Sequence, residues 1–243
     1  MTTKANGKIA LVTGANKGIG KAIVRGMARD GFTVFLGARD PEKGRAAVAE
    51  LKTEGDVRFV QLDVTDSASV LSAQQTIESE TGRLDVLVNN AGIGSAPGSR
   101  FNAPIEESAE NMRAVYETNV FAVVTVTNAF IPLLLKSDAG RIVNVTSKRG
   151  SIGEEGAWVG RPNMTYSSSK TALNAITVHY ARSLAETNIK VNGAAPGHVA
   201  TDFNGFRGTR KPEQGADVAI RLAQLKKDGP TGLVFEDERQ LVW

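Results

Sequence analysis

The chain has 243 residues, 41% hydrophobic and 23% charged, with a net charge of +3, an ordinary globular composition with length enough for one large α/β domain and its core. So small a charge, with no basic run carrying interleaved aromatics, argues against a nucleic-acid partner, while the absence of cysteine and the presence of only two histidines, His179 and His198, argue against disulfides, thiolate chemistry, metal centres and Ser-His-Asp hydrolysis. The first residues have no apolar core of the signal-peptide kind, and no apolar run approaches membrane-spanning length, so the cytoplasm is the expected compartment and a membrane is not expected.

Lys8 to Thr13 is a short apolar run between Gly7 and Gly14 and reads as a buried parallel strand. Gly14-Ala15-Asn16-Lys17-Gly18-Ile19-Gly20 follows, then an amphipathic stretch with Ile23, Val24 and Met27 that stops at Asp30-Gly31, then a second apolar run from Thr33 to Leu36. Strand, glycine turn, helix and strand in that order bring backbone close to a pyrophosphate and aim a helix N-terminus at its charge. The second strand ends in Gly37-Ala38-Arg39-Asp40. In NAD binders an acid about 20 residues beyond the glycine turn accepts the ribose hydroxyls. Ala38 takes that place here, and Arg39 after it has a fork of donors suited to a 2′-phosphate, with Lys17 as a second cation. NADP(H) is therefore the expected cofactor. Asp40 caps the next helix, with Pro41 at its first position.

Val57 to Leu62 is a third strand, ending at Asp63-Val64; Asp66 and Ser67 open a helix, and Leu84 to Val88 is a fourth strand leading into Asn89-Asn90-Ala91-Gly92. Ile93 to Pro104 reads as a loop, and helical patterning dominates from Ile105 to Leu135, with Asn119 as a buried amide in need of partners. Arg141 to Thr146 is a fifth strand. Ser147 lies at its C-terminal end, the edge where open α/β sheets bind ligands, although serines there also commonly cap turns. After a long loop, Tyr166 and Lys170 fall four apart on one helix face. A phenol titrates near ~10, and a cation one turn away lowers that value and readies the group for proton transfer. Ile189 to Ala194 is a sixth strand, closed by Pro196-Gly197. The polar, glycine-rich stretch 198–211 reads as a lid, Pro212 to Leu225 as a last helix, and Leu233 to Phe235 as a last strand. Trp158, Met164 and Phe203, apolar side chains on or beside these loops, are the expected substrate pocket. With no linker or repeat, residues 1–243 read as one domain.

The succession of TGxxxGxG at 13–20, NNAG at 89–92, Asn119, Ser147, Tyr166-x-x-x-Lys170 and Pro196-Gly197 resembles the short-chain dehydrogenase/reductase family, and the likeness extends from Thr13 to Thr201. It is greatest to the NADPH-dependent carbonyl reductases, on the TGANKGIG turn, the Ala38-Arg39-Asp40 ending and the closing Gly229-Pro230-Thr231-Gly232 and Trp243. The loop between Ser147 and Tyr166 is shorter than the insertion some of those enzymes carry. The resemblance implies a single-domain α/β fold: a Rossmann-type, doubly wound parallel sheet of about seven strands with helices on both faces.

It also implies roles. Ser147, Tyr166 and Lys170 are catalytic, Lys170 also holding the nicotinamide ribose, and Asn119 supports a proton relay through a bound water. Gly14, Asn16, Lys17, Gly18, Ile19 and Gly20 form the cofactor turn. Asp63 and Val64 meet the adenine. Asn90, Ala91 and Gly92 lie against the cofactor, Pro196 and Gly197 border the nicotinamide, and Val199 and Thr201 contact its carboxamide and phosphate. The implied reaction is reduction of a ketone or aldehyde by NADPH, or its reverse. One alternative is a 3-ketoacyl carrier-protein reductase, whose acidic partner would want a basic patch such as Lys148, Arg149 and Arg161. Another is a non-catalytic NADP-binding sensor, which would have no need of the intact Ser, Tyr and Lys. Family members pair long helices between subunits, so a homodimer or homotetramer is expected.

Overall fold

The computed structural model describes residues 7–98 and 102–242. Residues 99–101 of the loop after NNAG, and Trp243, lie outside the described residues. The inner strands are apolar at nearly every position because helices cover both sides of the sheet. In β1 (Ile9–Val12), Ala10 and Val12 enter one core layer and Leu11 the other; in β2 (Thr33–Ala38), Val34 and Leu36 enter the first and Phe35 the second.

The strands β3 (Val57–Gln61), β4 (Val86–Asn89), β5 (Arg141–Val145), β6 (Lys190–Ala195) and β7 (Val234–Glu236) complete a parallel sheet of order β3-β2-β1-β4-β5-β6-β7. An eighth strand, β8 (Arg239–Gln240), pairs antiparallel with β7. It adds to the seven predicted strands and left no pattern to find: two exposed residues carry no apolar alternation.

Helices α1 (Gly18–Arg29), α2 (Pro41–Leu51) and α7 (Pro212–Ala223) cover one face, and α3 (Ser67–Thr81), α5 (Ala122–Leu134) and α6 (Met164–Ser183) the other. The chain leaves β1 toward β2 and β3, then returns to place β4 on the other side of β1. The C-terminal ends of β1 and β4 therefore flank the crevice where such sheets bind ligands.

Two expectations need correction. The helical stretch 105–135 is not one α-helix. It starts with α4 (Ala109–Tyr116), widens to a π-helical turn at Glu117–Phe121, and continues as α5. Such turns occur often at functional sites, and this one carries Asn119, fully buried. The same run, Ala109–Leu134, has 26 residues and holds an 18-residue stretch with a mean hydropathy of 1.3, long and apolar enough to cross a membrane, contrary to the sequence reading. Half of that 18-residue stretch is buried inside the molecule, and Phe130, Leu133 and Leu134 belong to the second core layer, so its apolarity is that of a core helix.

Candidate active site

The glycine turn joins β1 to α1 under a brace from β4. Thr13 Oγ1 accepts from the N–H groups of Asn90 and Ala91, both at 3.0 Å, and the Asn90 amide donates to the carbonyls of Thr13 (2.9 Å) and Gly14 (3.1 Å). The brace explains two glycines. A Cβ on Gly20 would sit 2.4 Å from Asn90 Nδ2, and one on Gly14, whose φ is +60°, would sit 2.9 Å from Ala91 Cα. Asn90, expected against the cofactor, thus has its side chain committed to shaping the turn. Asp40, Asp66, Ser108 and Asn163 each cap their helix with a side chain, whereas Lys17 at the start of α1 makes no such bond. The first N–H groups of α1 are left for an anion. A close-packed glycine turn, an uncapped helix end and the strand crossover together fit a dinucleotide.

At the end of β2, Ala38 is buried and Arg39 exposed, and among the described residues the Arg39 guanidinium has no acidic partner. Lys17 differs: its ammonium pairs with Asp202 on the 198–211 segment. One Asp63 oxygen holds Thr65 through its N–H (3.0 Å) and its hydroxyl (2.8 Å), and Val64 packs against the core. Pro196 and Gly197 close β6 toward the site, Gly197 with φ +75°. Thr201 packs on the turn beside Gly18, whereas the Val199 side chain is buried toward Gly215 of α7.

Ser147, Tyr166, Lys170 and Asn119 converge beside this turn. Ser147 follows β5; its hydroxyl accepts from Arg149 N at 3.2 Å and lies near enough to the Tyr166 phenol to favour its ionised form. Lys170 is 5% exposed; its Nζ donates to the Val145 carbonyl at 2.9 Å and lies over the Tyr166 ring, 5.7 Å from its centre. Burial pushes the Lys170 ammonium down to about 8. Burial also pushes the Tyr166 phenol up, to about 12, partly offset by the Ser147 hydrogen bond and by the positive charge of Arg149. The sequence reading gave that lowering influence to Lys170. The folded chain adds Ser147 and Arg149 to that influence, and the Lys170 ammonium lies over the ring as the spacing predicts. Asn119 accepts from Ile93 N (2.9 Å) and donates to Ile93 O (2.9 Å) and Ser169 Oγ (3.0 Å). It thereby fixes the wall after NNAG against α6.

Of the three expected pocket residues, Phe203 is brought to the site: its ring centre lies 5.5 Å from that of Tyr166. Met164 opens α6, two residues before Tyr166. Trp158 is 82% exposed, so it is not packed down on the core. The 198–211 segment reaches the site folded on itself, with Ala200 N donating to Arg210 O at 2.8 Å and Thr209 N to His198 O at 2.9 Å. It touches the site at two points, Phe203 on Tyr166 and Asp202 on Lys17. The basic patch proves largely committed. Lys148 pairs with Glu236 at 3.4 Å, and the Arg149 guanidinium donates to the carbonyls of Arg161 (3.1 Å) and Val159 (3.0 Å).

A parallel sheet with a dinucleotide turn at its crossover and a Ser, Tyr and Lys at the adjoining strand end defines a nicotinamide-dependent oxidoreductase acting on a small molecule. Residues 8–211 match the family described as short chain dehydrogenase, and the chain belongs to it. It is 37% identical to a short-chain dehydrogenase, anuI, of Penicillium roqueforti, over 96% of both chains. It is 34% identical to carbonyl reductase [NADPH] 1 of Mus musculus, over 97% of this chain and 98% of that one. Among solved structures it resembles the NADP active-site complex of Pseudomonas aeruginosa RhlG, with a TM-score of 0.84, 29% identity and 96% of each chain covered.

Proposed function

We propose that the protein is an NADPH-dependent carbonyl reductase that converts a ketone or aldehyde to its alcohol and runs the reverse reaction with the same groups. The arrangement that carries this reading is Ser147 brought to the Tyr166 phenol at the end of β5, with the buried Lys170 over the Tyr166 ring. The likeness to a carbonyl reductase [NADPH] and to an NADP complex supports the choice of cofactor and substrate.

Bound NADPH would supply a hydride to the carbonyl carbon. The glycine turn and the α1 N-terminus would hold its diphosphate, and Arg39 its 2′-phosphate. The protein's part is position and proton. Ser147 donates a hydrogen bond to the carbonyl oxygen and fixes its place. Tyr166, its phenol pushed up to about 12, carries its proton throughout the neutral range and gives it to the oxygen as negative charge develops there. The buried Lys170 holds a cationic donor over the ring. Phe203 sets an apolar ring beside that of Tyr166 at the place where the substrate would lie. Of the basic patch that an acidic carrier-protein partner would want, Lys148 is paired with Glu236, which lessens its pull on such a partner.

The test is turnover of a simple aryl ketone followed by NADPH absorbance, with chiral analysis of the alcohol. Steady oxidation of NADPH that depends on the ketone is expected. Tight NADPH binding with no turnover across a panel of ketones and aldehydes would establish the sensor instead.

We further propose a homodimer or homotetramer paired through α4, α5 and α6. Phe121 and Leu135, at the two ends of α5, are more than half exposed in the single chain, and covering them removes apolar area from water. Sedimentation at micromolar concentration is expected to give at least twice the 25.8 kDa of one chain; a single monomeric species rejects the pairing.

A further inference from the structure

The carboxylate of Glu107, which none of the chemistry above uses, joins three pieces of the active-site wall. It lies between a short turn at Pro104–Glu106 and α4. Its Oε2 accepts from the Thr165 hydroxyl at 2.6 Å. Its Oε1 accepts from Asn111 Nδ2 (2.8 Å), Ser108 N (3.0 Å) and Asn102 Nδ2 (3.3 Å). Thr165 is 1% exposed, sits in the first turn of α6 and precedes Tyr166. Asn111, also buried, passes the link on: its Oδ1 accepts from Ala96 N at 2.8 Å, in the loop after NNAG. Among the described residues no cation pairs with Glu107, so its ligands are neutral donors aimed from α4, α6 and the loop.

We propose that Glu107 is a positioning residue for Tyr166, clamping the first turn of α6 to α4 and to the loop after NNAG so that the phenol meets the substrate oxygen in register with Ser147. The inference rests on reading Tyr166 as the proton donor. Burial opposes ionisation of Glu107, but its four hydrogen bonds, that of Thr165 foremost, hold the carboxyl below its ordinary value. It therefore stays an acceptor at working pH and takes no part in moving the proton. A clamp of this kind acts on geometry, and small misplacements of a reacting group cost far more in kcat than in binding.

The experiment compares Glu107→Ala, Glu107→Gln, Thr165→Val and the Glu107→Ala/Thr165→Val double variant. Steady-state reduction is measured alongside NADPH titration by fluorescence and amide hydrogen exchange. Glu107→Ala should lower kcat roughly 10- to 100-fold, with NADPH affinity unchanged. Glu107→Gln keeps an acceptor for Asn111 and Ser108 and offers its amide to the Thr165 oxygen, so it should recover most of kcat. Thr165→Val should reproduce the loss, and the double variant should be no worse than the singles, because both remove one link. Exchange should quicken in the peptides holding Ala96, Ser108 and 163–168 and nowhere else. Unchanged kcat in Glu107→Ala, losses that multiply in the double variant, or unchanged exchange at 163–168 each overturns the proposal. Should the parent enzyme reduce no carbonyl, the proposed function fails by itself, while the exchange pattern still decides whether Glu107 clamps α6.

Discussion

Tyr166→Phe is expected to bind NADPH as the parent does and to lose at least ~100-fold in turnover, the low end of what a positioned general acid contributes. The reason lies in what the change leaves alone. The ring remains, so its contact with Phe203 and the Lys170 ammonium over its face persist. The glycine turn, braced by Thr13 and Asn90, is untouched. Only the hydroxyl goes, and with it the proton that Ser147 lies beside. A variant with near-parent kcat would remove Tyr166 as the donor; one with equal losses in kcat and NADPH affinity would show that the hydroxyl serves binding instead.

The fold was legible from burial. Strands covered on both faces must be apolar at almost every position, so β1, β2, β4, β5 and β6 stand out as short runs between glycines and polar turns. Caps were legible for the same local reason: Asp40 and Asp66 bond the N–H groups two or three residues on, whatever lies elsewhere. The proton-transfer pair was legible because helical spacing alone sets Tyr166 beside Lys170. What escaped depends on residues distant in the chain. Lys170 is held by Val145, 25 positions away, and Glu107 by Thr165, 58 positions away. No periodicity announces either. The π-helical turn at Asn119 escaped because one extra residue in a helix scarcely alters the apolar spacing, although a buried amide in an apolar helix was the available signal. Lys17 was read as a free cation for the phosphate. Its partner Asp202 lies 185 positions on, in a segment whose path no local rule fixes.

That pairing sets the two cations apart in the cofactor-choice experiment. Arg39 is exposed, lies past the buried Ala38 at the end of β2, and has no acidic partner among the described residues, so its whole fork is available to a 2′-phosphate. Charge-assisted hydrogen bonds are worth roughly 1.5–3 kcal/mol each. At ~1.4 kcal/mol per factor of ten, Arg39→Leu should weaken NADPH by about 10- to 1,000-fold. Lys17→Ala should cost less, since a lysine offers one flexible point charge and this one must first leave Asp202. Ala38→Asp combined with Arg39→Leu should go further than either. It removes the attraction, sets a carboxylate against the phosphate, and gives the ribose hydroxyls of NADH an acceptor, so preference shifts by loss on one side and gain on the other. The measurement is kcat/KM for NADPH and NADH in the parent and each variant at one salt concentration, because exposed charges are screened. A parent that prefers NADH, or an Arg39→Leu variant with an unmoved ratio, would make Arg39 a surface cation and leave cofactor choice to other contacts of the turn.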